Sequence, residues 1–196
     1  AWVGRFEDAP AAGQGVLTLD LKGKVVVPGF VEPHMHLPPL AMMHEFSNIG
    51  PNRFETTEAA LRQLAKDAAA TPKGEWVVGR QFDPSLQQGP DYLTRDLLDS
   101  VSNEHPVFVY NASLHLGYCN TVALELAGID ASTPDPQNAE IGRDAAGNPN
   151  GVLKAGPAMA LVLRHNTKLK NGNIVEGCLS VLGQANAVGI TLLADQ

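Results

Sequence analysis

The sequence predicts an α/β protein, and three observations carry that prediction. Apolar, β-branched runs alternate with amphipathic helical stretches along the 196 residues. Glycine and proline, 19 and 14 in number, punctuate those runs and mark where elements end. Hydrophobic residues make up 44% and charged residues 18%, which supplies a core and rules out a disordered chain.

Taken in order, the opening AWVGRF reads as the inside of a strand. VLTLD (16–20) and KVVV (24–27) read as short strands about a Lys22-Gly23 turn. Pro28-Gly29 interrupts, and FVEPHMH (30–36) follows as an extended piece that Pro33 makes irregular, because proline has no N–H for a ladder. Residues 37–55, rich in Pro, Met and Asn, read as a loop. TTEAALRQLAKDAAATP (56–72) is a helix with Leu61, Leu64, Ala65 and Ala68 on one face, a threonine cap at 56 or 57 and a stop at Pro72. EWVVGRQF (75–82) is a strand, with Trp76 and Phe82 as core residues, and TRDLLDSV (94–101) is a short helix capped by Thr94. PVFVYN (106–111) is a buried strand, and NTVALELAG (120–128) is a helix with Asn120 as N-cap and Gly128 at its stop. Residues 130–151 are dense in turn formers and read as a surface excursion. Residues 157–165 and 173–189 are helices, the second with a stripe of Ile174, Cys178, Leu182 and Ala185, and ITLLAD (190–195) is a strand. Strands alternating with helices imply parallel pairing.

Charge and composition narrow the function. A net charge of −7 excludes nucleic acid as the main partner, because phosphate binding needs a basic surface. No apolar run is as long as a membrane span, so no membrane partner is expected. Cys119 and Cys178 stand far apart in no metal-binding spacing and read as reduced, partly buried thiols. A cytoplasmic location is expected; the chain does not begin with Met, so secretion stays open.

The chemistry concentrates in VPGFVEPHMHL (27–37). Side chains two apart on a strand share a face, so His34 and His36 point the same way with Cα atoms about 6.5–7 Å apart. Two imidazoles in that arrangement can converge on one ion at about 2.0–2.1 Å each. The pair alone is a weak motif. Its position at the C-terminal end of an apolar strand, with an α/β pattern behind it, is where α/β barrels place active sites.

LDLKGKVVVPGFVEPHMHL (19–37) resembles the segment that opens the barrel in the amidohydrolase superfamily, more narrowly in the branch of metal-dependent amidases that includes N-substituted formamide deformylases. HPVFVYNASLHLGYCNTVALELAGI (105–129), AEIGRDAAGNPNGVL (139–153) and AVGITLLAD (187–195) resemble later blocks of the same branch, in order. The resemblance implies part of a TIM-like (β/α)8 barrel. Residues 1–28 would be part of a β-sandwich, 29–36 the first barrel strand, about 72–151 an inserted subdomain and 190–195 the second strand. It further implies hydrolysis of a carbon–nitrogen bond in a small-molecule amide by a metal-activated water, with zinc or another divalent metal as cofactor, one or two ions.

His34 and His36 would then be metal ligands. Glu32 would orient His34, or be an ordinary polar residue. His115 and Asn120 would line the substrate pocket, the second only after its capping role. After GVL the family often carries a residue and then a glutamate that can sit at the metal centre; here Lys154 and Ala155 follow, so that glutamate is lost, Lys154 would be a carboxylated ligand or a plain surface lysine, and one ion is favoured over two. Asp195 would be a functional group at a strand end or a helix cap. His44, Asp83, Tyr118 and the methionines 35, 42 and 43 carry no distinguishing signal, and His105 and His165 read as ordinary surface or helix-end histidines. A catalytic zinc takes three protein ligands plus water, and two are visible, so the chain is expected to be an inactive N-terminal portion of a longer enzyme, unstable or homo-oligomeric by itself. The other reading is a catalytically defective member that binds a small ligand or partner.

Overall fold

The computed structural model describes residues 4–9, 11, 13, 15 and 17–196. Its elements run β1 (Phe30–Met35), α1 (Leu37–Met42), β2 (Ser47–Asn48), α2 (Thr57–Ala70), β3 (Val77–Phe82), α3 (Arg95–Asp99), β4 (Val107–Asn111) and β5 (Leu116–Cys119). They continue through α4 (Thr121–Leu126), β6 (Glu140–Arg143), β7 (Pro149–Lys154), α5 (Gly156–Leu163), α6 (Thr167–Asn171), α7 (Ile174–Ala187) and β8 (Ile190–Asp195). The result is a mixed α/β fold with two sheets.

β1 and β8, at opposite ends of this order, pair in parallel as an open two-stranded sheet. Their register breaks between Glu32 and Met35, across Pro33, which has no N–H to donate. The chain between them builds a six-stranded sheet in the order β2-β3-β4-β5-β7-β6. The β2-β3-β4 half is parallel and the β5-β7-β6 half antiparallel, so the expectation of parallel pairing holds for only one side.

Every residue of β4 is buried, and its alternation separates the core into two faces. Phe108 and Tyr110 pack with Trp76, Leu153, Leu124 and Met159 on one side. Val107 and Val109 pack with Leu64, Phe82, Leu98 and Tyr118 on the other. Gly117 is required between them, because a Cβ there would stand 2.4 Å from the Phe108 ring.

Several expectations need correction. The strands predicted at 17–20 and 24–27 do not form: Leu17, Leu19, Val25 and Val26 are exposed, and only the Lys22-Gly23 turn appears, with Lys24 N–H donating to the Leu21 carbonyl at 3.0 Å. A strand needs a ladder partner, and none is present among the described residues. Phe6–Asp8 form a 3₁₀ turn, and residues 1–3 and Val16 of the predicted strands lie outside the described residues. The 37–55 loop contains α1, whose prolines occupy the first turn, where no intrahelical N–H is needed. The 130–151 excursion contains β6 and part of β7, a hairpin hidden in the sequence by the turn formers around Asp144 and Gly147. The sheet starts at β2, well before residue 72. On α2 the buried residues are Thr57, Ala60, Leu64 and Ala68, a face rotated from the predicted one.

The predicted stripe of α7 is not its buried face. Ile174 and Leu182 are exposed, and Gly177 is the buried residue. Its missing side chain lets α1 approach; a Cβ on Gly177 would stand 2.1 Å from the Ala41 carbonyl oxygen.

Candidate metal centre

His34 on β1 and His36, directly after the strand and before α1, stand with ring centroids 5.2 Å apart and planes at 75°. Two imidazoles bound through nitrogen to one tetrahedral ion, about 2.0–2.1 Å from each, stand with centroids roughly 5 Å apart. The observed spacing meets that requirement.

The end of β8 fixes these groups. His36 Nδ1 lies 2.7 Å from the Gln196 carbonyl oxygen. A main-chain oxygen only accepts, so Nδ1 carries the proton and donates, and in the neutral ring the lone pair is then on Nε2. This is how metal-binding histidines are commonly oriented. The Gln196 N–H donates to the Met35 carbonyl at 3.1 Å, which holds the accepting residue against the strand that carries the imidazole. Asp195 Oδ1 accepts the Leu37 N–H at 2.8 Å and so tethers the start of α1, directly after His36. In this structure it acts as a cap, of α1. Glu32 Oε1 accepts the backbone N–H of His34 at 3.0 Å; it grips the main chain beside Pro33 and does not hold the imidazole.

The donor set fits a metal in kind and is partial in number. Two neutral imidazoles are suitable ligands, yet among the described residues no group of three His, Cys, Asp or Glu side chains is placed to hold an ion.

The other candidates fall elsewhere. Asn120 is fully buried. Its Oδ1 accepts from the N–H groups of Val107 (2.9 Å) and Ala123 (3.1 Å), and its Nδ2 donates to the carbonyls of Ser102 and His105, both at 2.9 Å. With donors and acceptor engaged, it is a structural clamp, and the substrate role is corrected. Lys154 Nζ donates to Glu140 Oε1 at 2.7 Å across the β6–β7 hairpin, and that carboxylate raises the lysine pKa above its ordinary value. Such a paired ammonium fits a surface ion pair and not a carboxylated ligand. His115 is exposed in the turn before β5; its carbonyl accepts from Ala155 N–H at 2.8 Å. His105 is buried, not superficial, with Nδ1 bonded to the Glu75 carbonyl at 3.0 Å. Met42 and Met43 line an apolar cavity of about 180 Å³ with Pro39, Tyr110, Leu114 and Leu169, beside α1.

Cys119 and Cys178 are both free thiols, and burial pushes the Cys119 thiol far up. No helix among the described residues is long and apolar enough to cross a membrane. The group that sequence reading missed is the main-chain carbonyl of Gln196. A backbone acceptor has no residue signature; only the pairing of β1 with β8 places it.

Comparisons with known proteins identify relatives of this chain. The model of the amidohydrolase family matches residues 17–194. The chain is 37% identical over 143 residues to the N-substituted formamide deformylase of Arthrobacter pascens, covering 73% of this chain and 26% of that protein. It is 32% identical over 182 residues to the exoenzymes regulatory protein AepA of Pectobacterium carotovorum subsp. carotovorum, covering 90% of this chain and 39% of that one. A solved structure of an uncharacterized metal-dependent hydrolase from Pyrococcus horikoshii OT3 superposes with a TM-score of 0.49 at 19% identity, over 86% of this chain and 31% of that one. The chain thus spans between a quarter and two fifths of the length of these two curated relatives. With the family's model matched from Leu17 to Ala194, across both β1 and β8, this chain belongs to the amidohydrolase family.

Proposed function

We propose that this chain carries the first part of the metal centre of a hydrolase that cleaves a carbon–nitrogen bond in a small amide. The observation that carries the reading is the imidazole pair with His36 Nδ1 donating to the Gln196 carbonyl. In this reading β1 and β8 are the first two strands of a (β/α)8 barrel, and the six-stranded sheet is an insertion between them. Further ligands and a proton-relaying aspartate belong to the sequence that the longer relatives carry beyond the stretch matched here. A divalent ion held there, zinc by the chemistry of its imidazole ligands, would polarise the amide carbonyl and acidify water.

The chain's own residues do the positioning. The Nδ1–H bond commits His36 to present Nε2. Glu32 fixes the backbone of His34, and Asp195 anchors α1 so that the pair sits on a stiff strand end. The apolar cavity beside α1, lined by Met42 and Met43, supports an apolar substituent on the substrate.

The test is metal analysis and turnover of an N-substituted formamide by the full-length protein. His34→Ala with His36→Ala should remove bound metal and reduce hydrolysis to background. Full turnover by the double variant would contradict the assignment. A wild type that binds metal and never turns over would favour the ligand-binding reading.

A further inference from the structure

A cavity of about 290 Å³ opens between α1, the β2–β3 edge and α7. Leu40 and His44 line it from the α1 side, Asn48, Arg80 and Gln81 from the sheet, and Gln184 from α7. Arg80 is the centre of interest. Its guanidinium is half-buried, and among the described residues no carboxylate lies within 4.0 Å of it. Its one protein hydrogen bond is long, from Nε to the Phe46 carbonyl at 3.4 Å. Burial, and then the charge of Arg53, lower its pKa from the ordinary arginine value. Glu45, next to the wall residue His44, holds its carboxylate 3.9 Å from His44 Nε2 and is largely exposed.

The backbone is built around this position. β3 and β4 lose register between Gly79 and Phe82, so Arg80 and Gln81 form a bulge. Gln81 sits at φ +66°, a left-handed conformation that a non-glycine residue keeps only where its surroundings impose it. Bulges re-aim side chains, and this one places the arginine and the glutamine amide on the same cavity. Asn48 Oδ1 is occupied by the Gly50 N–H at 3.0 Å, which leaves its NH₂ to donate. The wall therefore offers an unpaired guanidinium and neutral amide donors, with no internal anion.

We propose that this cavity binds a small monocarboxylate, seated on the Arg80 guanidinium and flanked by the amides of Asn48, Gln81 and Gln184. A guanidinium fork matches the two coplanar oxygens of a carboxylate. The chain's net charge of −7 disfavours a multiply charged anion such as phosphate. The site stands apart from the metal reading, because it uses neither His34 nor His36.

The experiment is calorimetric titration of the full chain, freed of metal, with butyrate, butyramide and inorganic phosphate. Butyrate should bind saturably and butyramide at least about tenfold more weakly, with Arg80→Gln weakening butyrate by roughly ten- to a hundredfold. Gln184→Phe, at an exposed position of α7, should fill the cavity and abolish binding while circular dichroism reports an unchanged fold. His34→Ala with His36→Ala should leave butyrate binding as it was. Absence of saturable butyrate binding, equal binding of the amide, preference for phosphate, or a folded Arg80→Gln or Gln184→Phe protein that binds normally would each overturn the proposal.

Discussion

β4 and β1 each pair in parallel with one neighbour, and their surroundings differ. β4 lies between two layers of side chains, with Phe108 and Val109 fully buried on opposite faces. β1 has one paired neighbour and leaves Phe30 and Val31 each 58% exposed. The candidate metal centre belongs to the exposed strand. Among the described residues its strand end is held by hydrogen bonds, from His36 Nδ1 to the Gln196 main-chain oxygen and from the Leu37 N–H to the Asp195 carboxylate. Stability and chemistry occupy different parts of the chain, and perturbing each should show separate consequences.

The largest effect belongs to the buried strand. Phe108→Ala removes a ring that packs edge-to-face on Tyr110 at 4.9 Å, and should cost about 3–5 kcal/mol in urea unfolding. In the 196-residue chain by itself, Phe30→Ala, on the exposed strand, should cost about 0.5 kcal/mol or less. Equal losses would erase the contrast. Asn120→Ala comes next, at about 3 kcal/mol, because it strands two buried N–H groups and two carbonyls while adding no bulk. Asn120→Asp restores the accepting side only, so recovery of full stability would mean that the donor bonds contribute nothing. A smaller effect is expected for Gly177→Ala, about 1–3 kcal/mol, since the new Cβ must push α1 away from α7. This substitution should also weaken metal binding, because α1 begins at the residue after His36; unaltered affinity would show that the imidazoles do not depend on the helix.

The same contrast explains what was legible in the sequence. β3, β4, α2, α4 and β8 announce themselves because their side chains meet their partners locally or as unbroken apolar runs. His34 and His36 were visible for a similar reason, since a spacing of two on a strand fixes a shared face. The β6–β7 hairpin was obscured because its turn residues outweigh two short strands, although Ile141 and Leu153 are buried and pair across it. Asn120 was legible as a cap but not as a four-bond clamp, since Ser102, His105 and Val107 meet it only through tertiary packing. α7 misled because an amphipathic stripe normally faces a core, whereas here the close contact runs through Gly177. Among the described residues, the apolar run before residue 28 has no ladder partner, so its β-propensity builds no strand there.

The most direct test of the metal centre is nitrogen-15 NMR of the histidine rings during zinc titration. The account predicts that His36 is protonated at Nδ1 before zinc is added, and that zinc then shifts the Nε2 resonances of His34 and His36 together. A His36 protonated at Nε2, or zinc that leaves both resonances in place, would contradict it.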